Sequence, residues 1–431
     1  MDQLTAKFLN SLPTLQEGEA TALKDEIASL LHLDTSNGYR FPGAQPVSLE
    51  PKIGLSLILQ NDFAVCEKTD GTRYLFFVHF ADMTIPQPAF DAVKRHLKTL
   101  KPTIITYFAY FIDREYTFKR FSCDFDLTQI ALLTNLQDAY SPTCFSHFNG
   151  LYDGELVAEK GETESLHLYL FDCLFNSVSV MSKPLYERLE ASASLSKICV
   201  PDPTNLKICS KFFTDKTQIS QVLEQKKGLL HHSDGLIFTK VRAGYQVGTT
   251  HDIQKWKPLN QNSVDLLVQL EQETAIVGDT KTMIFKAKFY TASRGIIEPE
   301  TVELGGIQYL AQDKFAKLMK LSKPVILEVF WNSQKEVTDY ILLKKEHGLR
   351  VLQETKRKGA WESLKIRKDK SLPNDRKVFD SVVKSYDEFV DIDMIMDILA
   401  GKSQIPGVCT EPSPFLLRKK GNLNIQMIQD E

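Results

Sequence analysis

Short apolar runs of β-strand length, separated by turn residues, are the feature of this chain that most constrains its fold. Between residues 62 and 240 they include PTIITYFAYFID, GLYDGELVAE, LHLYLFDCLF and DGLIFTK, with helical pieces such as FDAVKRHLKTL and KTQISQVLEQ among them. Strands and helices do not alternate regularly, which argues against a parallel βαβ array. The pattern predicts an α+β domain with much antiparallel sheet, preceded by an amphipathic helix over residues 16–33.

The pattern of predicted secondary structure changes after KWKPLNQ (255–261). Four strand-like runs, SVDLLVQL, TMIFKAKFYT, PVILEVFW and YILLKKEHGLRVLQE, follow with one short helical segment, FAKLMKL, between them. This pattern predicts a small β-barrel. A helix is predicted next for RKVFDSVVKSYDEFVDIDMIMDIL (376–399), and the polar residues from 401 onward are expected to be mobile.

Composition narrows the class of protein. With 431 residues the chain is long enough for two domains, and its formal net charge of −3 means that a nucleic acid would have to meet a local basic surface. Seven scattered cysteines without a Cys-x-x-Cys pair argue against disulfides or structural zinc and for a reducing compartment. No apolar run of about 18 residues and no secretory signal is present, so no membrane association is expected.

The stretch CEKTDGTRYLFF (66–77) places a lysine, Lys68, between two carboxylates and just before Asp-Gly-Thr-Arg. Asp-Gly is common turn chemistry, and the apolar flanks predict a strand, a tight loop and a second strand. Taken alone, Lys68 is either a charged hairpin tip or a nucleophile. The rest of the chain has to decide between the two.

Five further polar motifs follow in order at strand ends. They are DGEL with Asp153 and Glu155, LFDCLF with Phe171, SDGLIFTK with Asp234, DIQKWKP with Lys255 and Lys257, and IRKDKSLPN with Arg367, Asp369 and Lys370. Cations converging from distant segments neutralise a polyphosphate, and carboxylates among them hold a divalent metal. An amine surrounded by other cations loses its proton more readily and becomes a usable nucleophile, which would form a phosphoramidate with an α-phosphate.

As a set, KTDGTR, DGEL, FD, DGLIF, KWKP and RKDK resemble the six signature motifs of the covalent nucleotidyltransferases. Within that superfamily the chain is most similar to the mRNA capping enzymes, specifically the RNA guanylyltransferases. DGLIF has Asp where ligases usually have Glu, KWKP has a Trp-Pro frame that ligases lack, and RKDK is followed by LPN. FPGAQPVSLE (41–50) and LNQNSVDL (259–266) are also similar, so the resemblance spans about residues 38 to 400.

The resemblance implies roles for the residues near the nucleotide. Lys68 would be the nucleophile that becomes linked to GMP, with Asp70 and Asp153 in supporting positions. The remaining residues would bind GTP or its metal ion. Arg73 and Glu155 would contact the ribose, Phe171 would stack on guanine, Lys211 in SKFF would recognise the base, and Asp234 would serve the metal and the phosphates.

Four cations are assigned to the triphosphate by the same resemblance. Lys255 and Lys257 would grip the α-phosphate, and Arg367 and Lys370 would reach the β- and γ-phosphates. In the motif that carries the last two residues, Asp369 would structure the loop. Further upstream, Asp265 would orient Lys370.

The implied protein is a two-domain enzyme. An α+β nucleotidyltransferase domain with antiparallel sheets would span residues 1–258, with a helix over 376–400 returning to it. An OB-fold β-barrel domain would span 259–375, and 401–431 would form a flexible tail. GTP would give lysyl-GMP and pyrophosphate with Mg²⁺ or Mn²⁺, the cleft between the domains closing over GTP and reopening for RNA.

The resemblance also implies partners and a location. GMP would pass to a 5′-diphosphate RNA end, so GTP and RNA are the substrates. A separate RNA 5′-triphosphatase and the phosphorylated C-terminal tail of RNA polymerase II would be protein partners, in the nucleus. The chain shows no Cys-x5-Arg phosphatase loop, no acidic tunnel-type triphosphatase segment and no methyltransferase-like glycine loop, so it is expected to supply only the middle step of capping.

Two alternatives remain open on the sequence. An ATP-dependent polynucleotide ligase would use the same lysine chemistry, although the motif details above disfavour it. A catalytically silent scaffold that binds transcription machinery is the other alternative. A silent relative has no chemical need to retain the cations of these motifs together, which disfavours the scaffold.

Overall fold

The computed structural model describes residues 3–79, 87–96, 99–133, 149–161, 164–200, 206–294, 296–299, 306–321, 325–368 and 370–405. The chain divides into two compact units. The first contains the segment up to Leu49, Ile53–Trp256 and Leu399–Lys402, and the second contains Glu50–Lys52 and Lys257–Ile398. The predicted boundary at 258/259 therefore lies two residues from the observed one.

The first unit combines seven helices with thirteen strands within the described ranges. The helices are α1 (Gln3–Ser11), α2 (Glu17–Leu31), α3 (Ile53–Gln60), α4 (Gln87–His96), α5 (Leu127–Leu133), α6 (Leu185–Ile198) and α7 (Ile219–Lys227). The strands are β1 (Ala44–Ser48), β2 (Phe63–Thr69), β3 (Thr72–Val78), β4 (Ile104–Ile112), β5 (Phe118–Asp126), β6 (Gly150–Lys160), β7 (Glu164–Asn176), β8 (Val178–Ser179), β9 (Cys199–Val200), β10 (Leu206–Ser210), β11 (Thr214–Asp215), β12 (Ser233–Lys240) and β13 (Gly248–Trp256). Helices α2, α4 and α7 confirm the helical predictions for this part of the chain.

Two sheets carry the functional strands of this unit. The smaller has the order β1-β13-β12-β2-β11, and the larger has the order β10-β7-β6-β3-β4-β5-β9 with β8 added to β7. Most neighbours are antiparallel, as predicted, but β1 runs parallel to β13 and β10 runs parallel to β7. The sheets are therefore mixed, because β1 and β10 reach their partners through long connections rather than hairpins.

Strand β3 explains why this unit has two apolar cores. Tyr74, Phe76 and Val78 point into one cluster, and the alternating Leu75 and Phe77 point into another. Successive side chains of a strand point to opposite faces, so a continuous apolar run is stable only when both faces are covered. The run YLFFV thus fixes β3 as an interior strand.

The second unit is a nearly closed barrel flanked by helices. Its strands are β14 (Ser263–Val277), β15 (Thr280–Ser293), β16 (Ile296–Pro299), β17 (Ile307–Tyr309), β18 (Val325–Glu346) and β19 (Leu349–Ile366), and its helices are α8 (Gln312–Met319), α9 (Arg376–Asp387) and α10 (Ile392–Leu399). The strand order is β16-β15-β14-β18-β19, with β17 on β15. Strand β19 also pairs in parallel with β14, which brings the sheet back on itself and confirms the predicted barrel.

The segment 376–400 differs from its prediction. It forms two helices, α9 and α10, and it packs in the second unit up to Ile398 instead of returning to the first. Phe379 is fully buried in the barrel core, where its ring lies 5.9 Å from that of Trp361. The aromatic side chain of α9 is buried in this core, so the prediction of a returning helix was wrong; of this segment only Leu399 and the residues up to Lys402 join the first unit.

Most of the predicted flexible tail, residues 406–431, lies outside the described residues, so its mobility stays a prediction. In the part of the chain that is described, none of the helices is long and apolar enough to span a membrane.

Candidate active site

Lys68 lies at the end of β2, beside the start of β12. The two strands are antiparallel, with Thr69 opposite Ser233 and Lys68 opposite Gly235, so Asp234 is an extra residue in the ladder. Such a bulge re-aims a side chain. The Asp234 carboxylate thereby meets Lys68, with Nζ 2.8 Å from Oδ1, while the lysine side chain remains 23% exposed and accessible to a substrate.

Arg73 is held in the adjacent wall by Asp153. Its Nε and Nη2 donate to the two carboxylate oxygens of Asp153 at 2.8 and 2.5 Å, and Nη1 donates to the carbonyl of Ala44 at 2.6 Å. Burial would lower the pKa of Arg73, but the charge and hydrogen bonds of Asp153 raise it overall. The pair is bidentate and buried, so the guanidinium is fixed in one orientation, 5.7 Å from the ring of Phe171.

Glu155 lies opposite Arg73 in the register of β3 and β6. Burial raises the pKa of Glu155 to about 7, and the charges of Lys68 and Arg73 offset only part of that rise. The carboxyl therefore titrates near neutral pH in the protein without substrate.

Lys68, Arg73 and Glu155 line one cleft of the first unit. Its apolar lining includes Pro46, Phe171, Phe213, Ile237 and Ile253. Its polar lining includes Lys68, Arg73, Arg114, Asp153, Glu155 and Lys211. Apolar side chains together with several convergent cations suit a flat base attached to phosphates.

Phe171 is anchored through its neighbour Asp172. The Asp172 carboxylate accepts hydrogen bonds from Nε and Nη2 of Arg188, on α6, at 2.6 and 3.1 Å. Arg188 is almost completely buried, and its Nη1 donates to the carbonyl of Ala243 at 2.9 Å. The sequence motif FD thus pairs a cleft residue with a structural one.

Lys211 enters the cleft beside β2. Its Nζ donates to Oε1 of Glu67 and to the hydroxyl of Thr69, and it lies 5.5 Å from the centre of the Tyr169 ring. Burial would raise the pKa of Glu67, but hydrogen bonds from His231, Lys211 and Thr69 and the charge of Lys211 lower it to about 2. Lys211 is therefore paired with a fully ionised carboxylate.

Asp234 and three further predicted residues, Asp70, Lys255 and Lys257, are not among the described residues that line the cleft. Asp70 sits in the β2–β3 turn, where its backbone N–H donates to the carbonyl of His232 at 2.9 Å. Lys255 lies on β13, opposite Ile237 of β12. Lys257 is the first residue of the second unit after β13.

The predicted residues of the second unit meet at one carboxylate. Oδ2 of Asp265 accepts from Nη1 of Arg367 at 2.7 Å and from Nζ of Lys370 at 2.5 Å. Asp265 is buried on β14, and Arg367 and Lys370 follow β19. Asp265 thus contacts Lys370, the residue that it was expected to orient, whereas Asp369 lies outside the described residues.

Sequence comparison decides the family. A model of the mRNA capping enzyme catalytic domain matches residues 10–91 and 103–259, and a model of the mRNA capping enzyme C-terminal domain matches residues 261–396. The chain belongs to the mRNA capping enzyme family. This match confirms the predicted capping-type nucleotidyltransferase fold with its C-terminal barrel domain, and it supports the guanylyltransferase class over the ligase and scaffold alternatives.

Two curated relatives agree with the family match. The mRNA-capping enzyme subunit alpha of Saccharomyces cerevisiae is 26% identical over 390 residues, covering 83% of this chain and 78% of that protein. The Yarrowia lipolytica protein of the same name is 30% identical over 271 residues, covering 58% of this chain and 59% of that protein. A solved ATP-dependent DNA ligase from bacteriophage T7, in complex with ATP, is 12% identical, covering 75% of this chain and 98% of that one with a TM-score of 0.32.

Three cleft features of this capping enzyme escape the sequence patterns. Arg114, in the turn between β4 and β5, lines the cleft, and its only signal is a charged residue after the apolar run that ends in YFID. In the sequence, Glu67 is distinguished only as one of the two carboxylates that flank Lys68. His231 contacts Glu67 through a fold that brings β2 beside the start of β12, and no local spacing reveals this contact.

The site suits a metal held mainly by substrate. Among the described residues, no group of three His, Cys, Asp or Glu side chains lies close enough to hold an ion. Mg²⁺ commonly takes one or two protein carboxylates and completes its shell with phosphates and water. Asp234, next to the amine of Lys68, provides one such carboxylate, so the residues present fit a hard divalent cation bound together with a nucleotide.

Proposed function

We propose that this chain transfers GMP from GTP, through a covalent lysyl-GMP at Lys68, to the 5′-diphosphate end of RNA. The observation that supports this most directly is the Lys68 amine, which is partly exposed in the cleft and hydrogen-bonded to Asp234. A nucleophilic amine needs access to the phosphorus and a nearby group that accepts its proton. Asp234 meets the second requirement.

Each half-reaction forms one bond to the α-phosphorus and breaks another. In the first, the neutral amine of Lys68 attacks the α-phosphorus, an N–P bond forms, the bond to the bridging oxygen breaks and pyrophosphate leaves. The proton released by the amine passes to Asp234 or to water. In the second, a terminal oxygen of the RNA 5′-diphosphate attacks the same phosphorus, the N–P bond breaks and the amine regains a proton.

The cleft residues bind the nucleotide in this proposal. Phe171 stacks on the base, and Lys211 offers a donor to the carbonyl oxygen that guanine has and adenine lacks. Arg73 and Glu155, which face each other across β3 and β6, contact the ribose. A donor in a dry site selects strongly for the base that carries the matching acceptor.

The remaining cations serve the triphosphate. Lys255 and Lys257 bind the α-phosphate, and Arg367 and Lys370 bind the β- and γ-phosphates. Arg114 lines the cleft and adds a further cation that was not predicted. Mg²⁺ or Mn²⁺ bound by Asp234 and the phosphates would stabilise the charge that develops on the transferred group and on pyrophosphate.

The cellular setting follows from the reaction. RNA ends carry a 5′-triphosphate when they are made, so an RNA 5′-triphosphatase must supply the diphosphate acceptor. Attachment to the phosphorylated tail of RNA polymerase II would deliver that acceptor in the nucleus. Both partners and the location belong to this proposal.

Labelling with radioactive GTP or ATP, followed by a denaturing gel, tests the function. We expect an acid-labile, alkali-stable adduct with GTP, dependent on a divalent metal and absent in Lys68→Ala. Lys68→Arg should also be inactive, because a guanidinium stays protonated and is a poor nucleophile. The exposed Lys183→Arg serves as the matched control and should label normally. Labelling only with ATP would support a ligase, and no labelling with either nucleotide would support the scaffold.

A further inference from the structure

His231 lies between two glutamates next to the cleft. Its Nε2 is 3.2 Å from Oε1 of Glu67, its Nδ1 is 3.1 Å from Oε1 of Glu159, and its side chain is only 1% exposed. Burial raises the pKa of each carboxyl, but hydrogen bonds from neighbouring side chains lower both pKa values overall. A carboxylate only accepts hydrogen bonds, so the geometry places both ring nitrogens of His231 to donate, as they do in an imidazolium.

This imidazolium joins the two sheets that form the cleft walls. Glu67 belongs to β2, in the same sheet as Lys68, whereas Glu159 belongs to β6 of the larger sheet. Glu159 is itself fixed on its own sheet, because it accepts a hydrogen bond from the hydroxyl of Tyr169 on β7. His231 precedes β12 and contacts both sides. Its position therefore relates the nucleophile's strand to the strands that carry Glu155 and Phe171.

Three side chains contact the same carboxylate oxygen of Glu67. Oε1 accepts from Lys211 Nζ, from the Thr69 hydroxyl at 2.7 Å and from His231. Oε2 is buried, and it has no hydrogen-bond partner within the described part of the chain. Among the described residues, Lys211 and His231 form the ion pairs of this buried carboxylate, and loss of either would leave one ion pair in place of two.

We propose that His231 is a positioning residue for base selection, which shares the charge of Glu67 so that Lys211 can donate to a purine carbonyl. This inference rests on the proposed use of GTP. Without the imidazolium, Glu67 would hold Lys211 more tightly, and turning the ammonium toward a neutral carbonyl would cost more. Adenine has no carbonyl at that position, so reaction with ATP would not suffer the same loss.

His231→Gln tests the proposal through the ratio of adduct formation with GTP and with ATP. Single-turnover rates at a range of nucleotide concentrations should show a GTP preference at least about tenfold below that of the wild type, mostly through weaker GTP binding. The matched control is His232→Gln, whose side chain is exposed, and it should leave the preference unchanged. A His231→Gln preference within about twofold of the wild type, in folded protein, would overturn the proposal.

A double variant separates positioning from simple destabilisation. In His231→Gln with Glu159→Gln, the new amide at 231 can donate to Glu67 and accept from the amide at 159, so the two hydrogen bonds of His231 are matched again without its charge. We therefore expect the double variant to regain stability lost in His231→Gln but to keep the lowered GTP preference. Equal losses with GTP and ATP in His231→Gln, or full recovery of the GTP preference in the double variant, would mean that His231 acts by stabilising the fold and not by sharing the charge of Glu67. If the wild type forms no lysyl-GMP, it is the proposed function that fails.

Discussion

Glu67 and Glu155 line the same cleft, yet the pKa of Glu67 is lowered from its ordinary value and the pKa of Glu155 is raised. Burial raises the pKa of both groups, but Glu67 receives direct hydrogen bonds that bring it down to about 2. Glu155 is influenced by the charges of Lys68, Arg73, Lys211 and Arg114, which leave its pKa at about 7. Direct hydrogen bonds to the ionised form outweigh burial, whereas these more distant charges offset it only in part.

Glu155 should make the stability of the substrate-free protein depend on pH. Its pKa is raised from 4.5 to about 7 by folding, so its contribution is fully favourable below about 4.5 and is lost as pH rises through about 7. Glu155→Gln should therefore gain stability relative to the wild type across that window and keep a constant gain above it. Urea unfolding at a series of pH values measures the difference.

The exposed Glu190→Gln is the control for this prediction and should show no such trend. A stability difference between Glu155→Gln and wild type that is the same at every pH would show that the Glu155 carboxyl does not titrate in this window.

At the scale of single elements, α9 shows how a correct helix prediction can still misplace the helix. The spacing of apolar residues in RKVFDSVVKSYD predicts an amphipathic helix, and α9 is one. The pattern does not say which core receives the apolar face. In the structure Phe379 packs with Trp331 and Trp361 inside the barrel, and the hydroxyl of Tyr386 accepts from the backbone N–H of Trp331 at 2.8 Å.

Phe379→Ala should destabilise the second unit by about 3–5 kcal/mol, because it removes a fully buried aromatic ring and leaves a cavity. The neighbouring Val378 is 43% exposed, so Val378→Ala should change the unfolding free energy by less than about 0.5 kcal/mol. Urea unfolding followed by tryptophan fluorescence reports on this core directly through Trp331 and Trp361. Similar small effects of both substitutions would place α9 outside the barrel core.

At the scale of the whole molecule, the proposed phosphate-binding residues are divided between the two units. Lys68 belongs to the first, whereas Arg367 and Lys370 share Asp265 in the second. The β- and γ-phosphates leave as pyrophosphate in the first half-reaction and take no part in the second. Cations that serve only these phosphates should therefore act on one half-reaction.

Arg367→Ala and Lys370→Ala should each slow lysyl-GMP formation by about 100-fold or more, since orienting a leaving group can supply several kcal/mol. Transfer of GMP from preformed adduct to diphosphate RNA should stay near the wild-type rate. Single-turnover rates of the two half-reactions provide the measurement, with the exposed Lys344→Ala as control. Normal adduct formation with impaired transfer would assign residues 367–370 to the RNA step instead.

The sequence by itself determined the class of each domain and the residues of the nucleotide site that lie in local motifs. Strand length, turn residues and helical spacing act over a few residues, so they are visible in any window of the chain. The hairpin around Lys68, the barrel strands after residue 262 and the helices α2 and α9 follow from such local patterns. The family motifs added Asp234, Phe171 and Arg367, because their order along the chain is itself informative.

Only the tertiary structure decided which charges meet. Lys68 and Asp234 are 166 positions apart, and they pair because a bulge in β12 aims the carboxylate at the amine. Lys211 and His231 both contact Glu67 because the two sheets of the first unit lie side by side. Helix α9 packs against the barrel because its apolar face fits the space around Trp361. A charged or amphipathic residue is compatible with many partners, and the packing of the complete chain selects one of them.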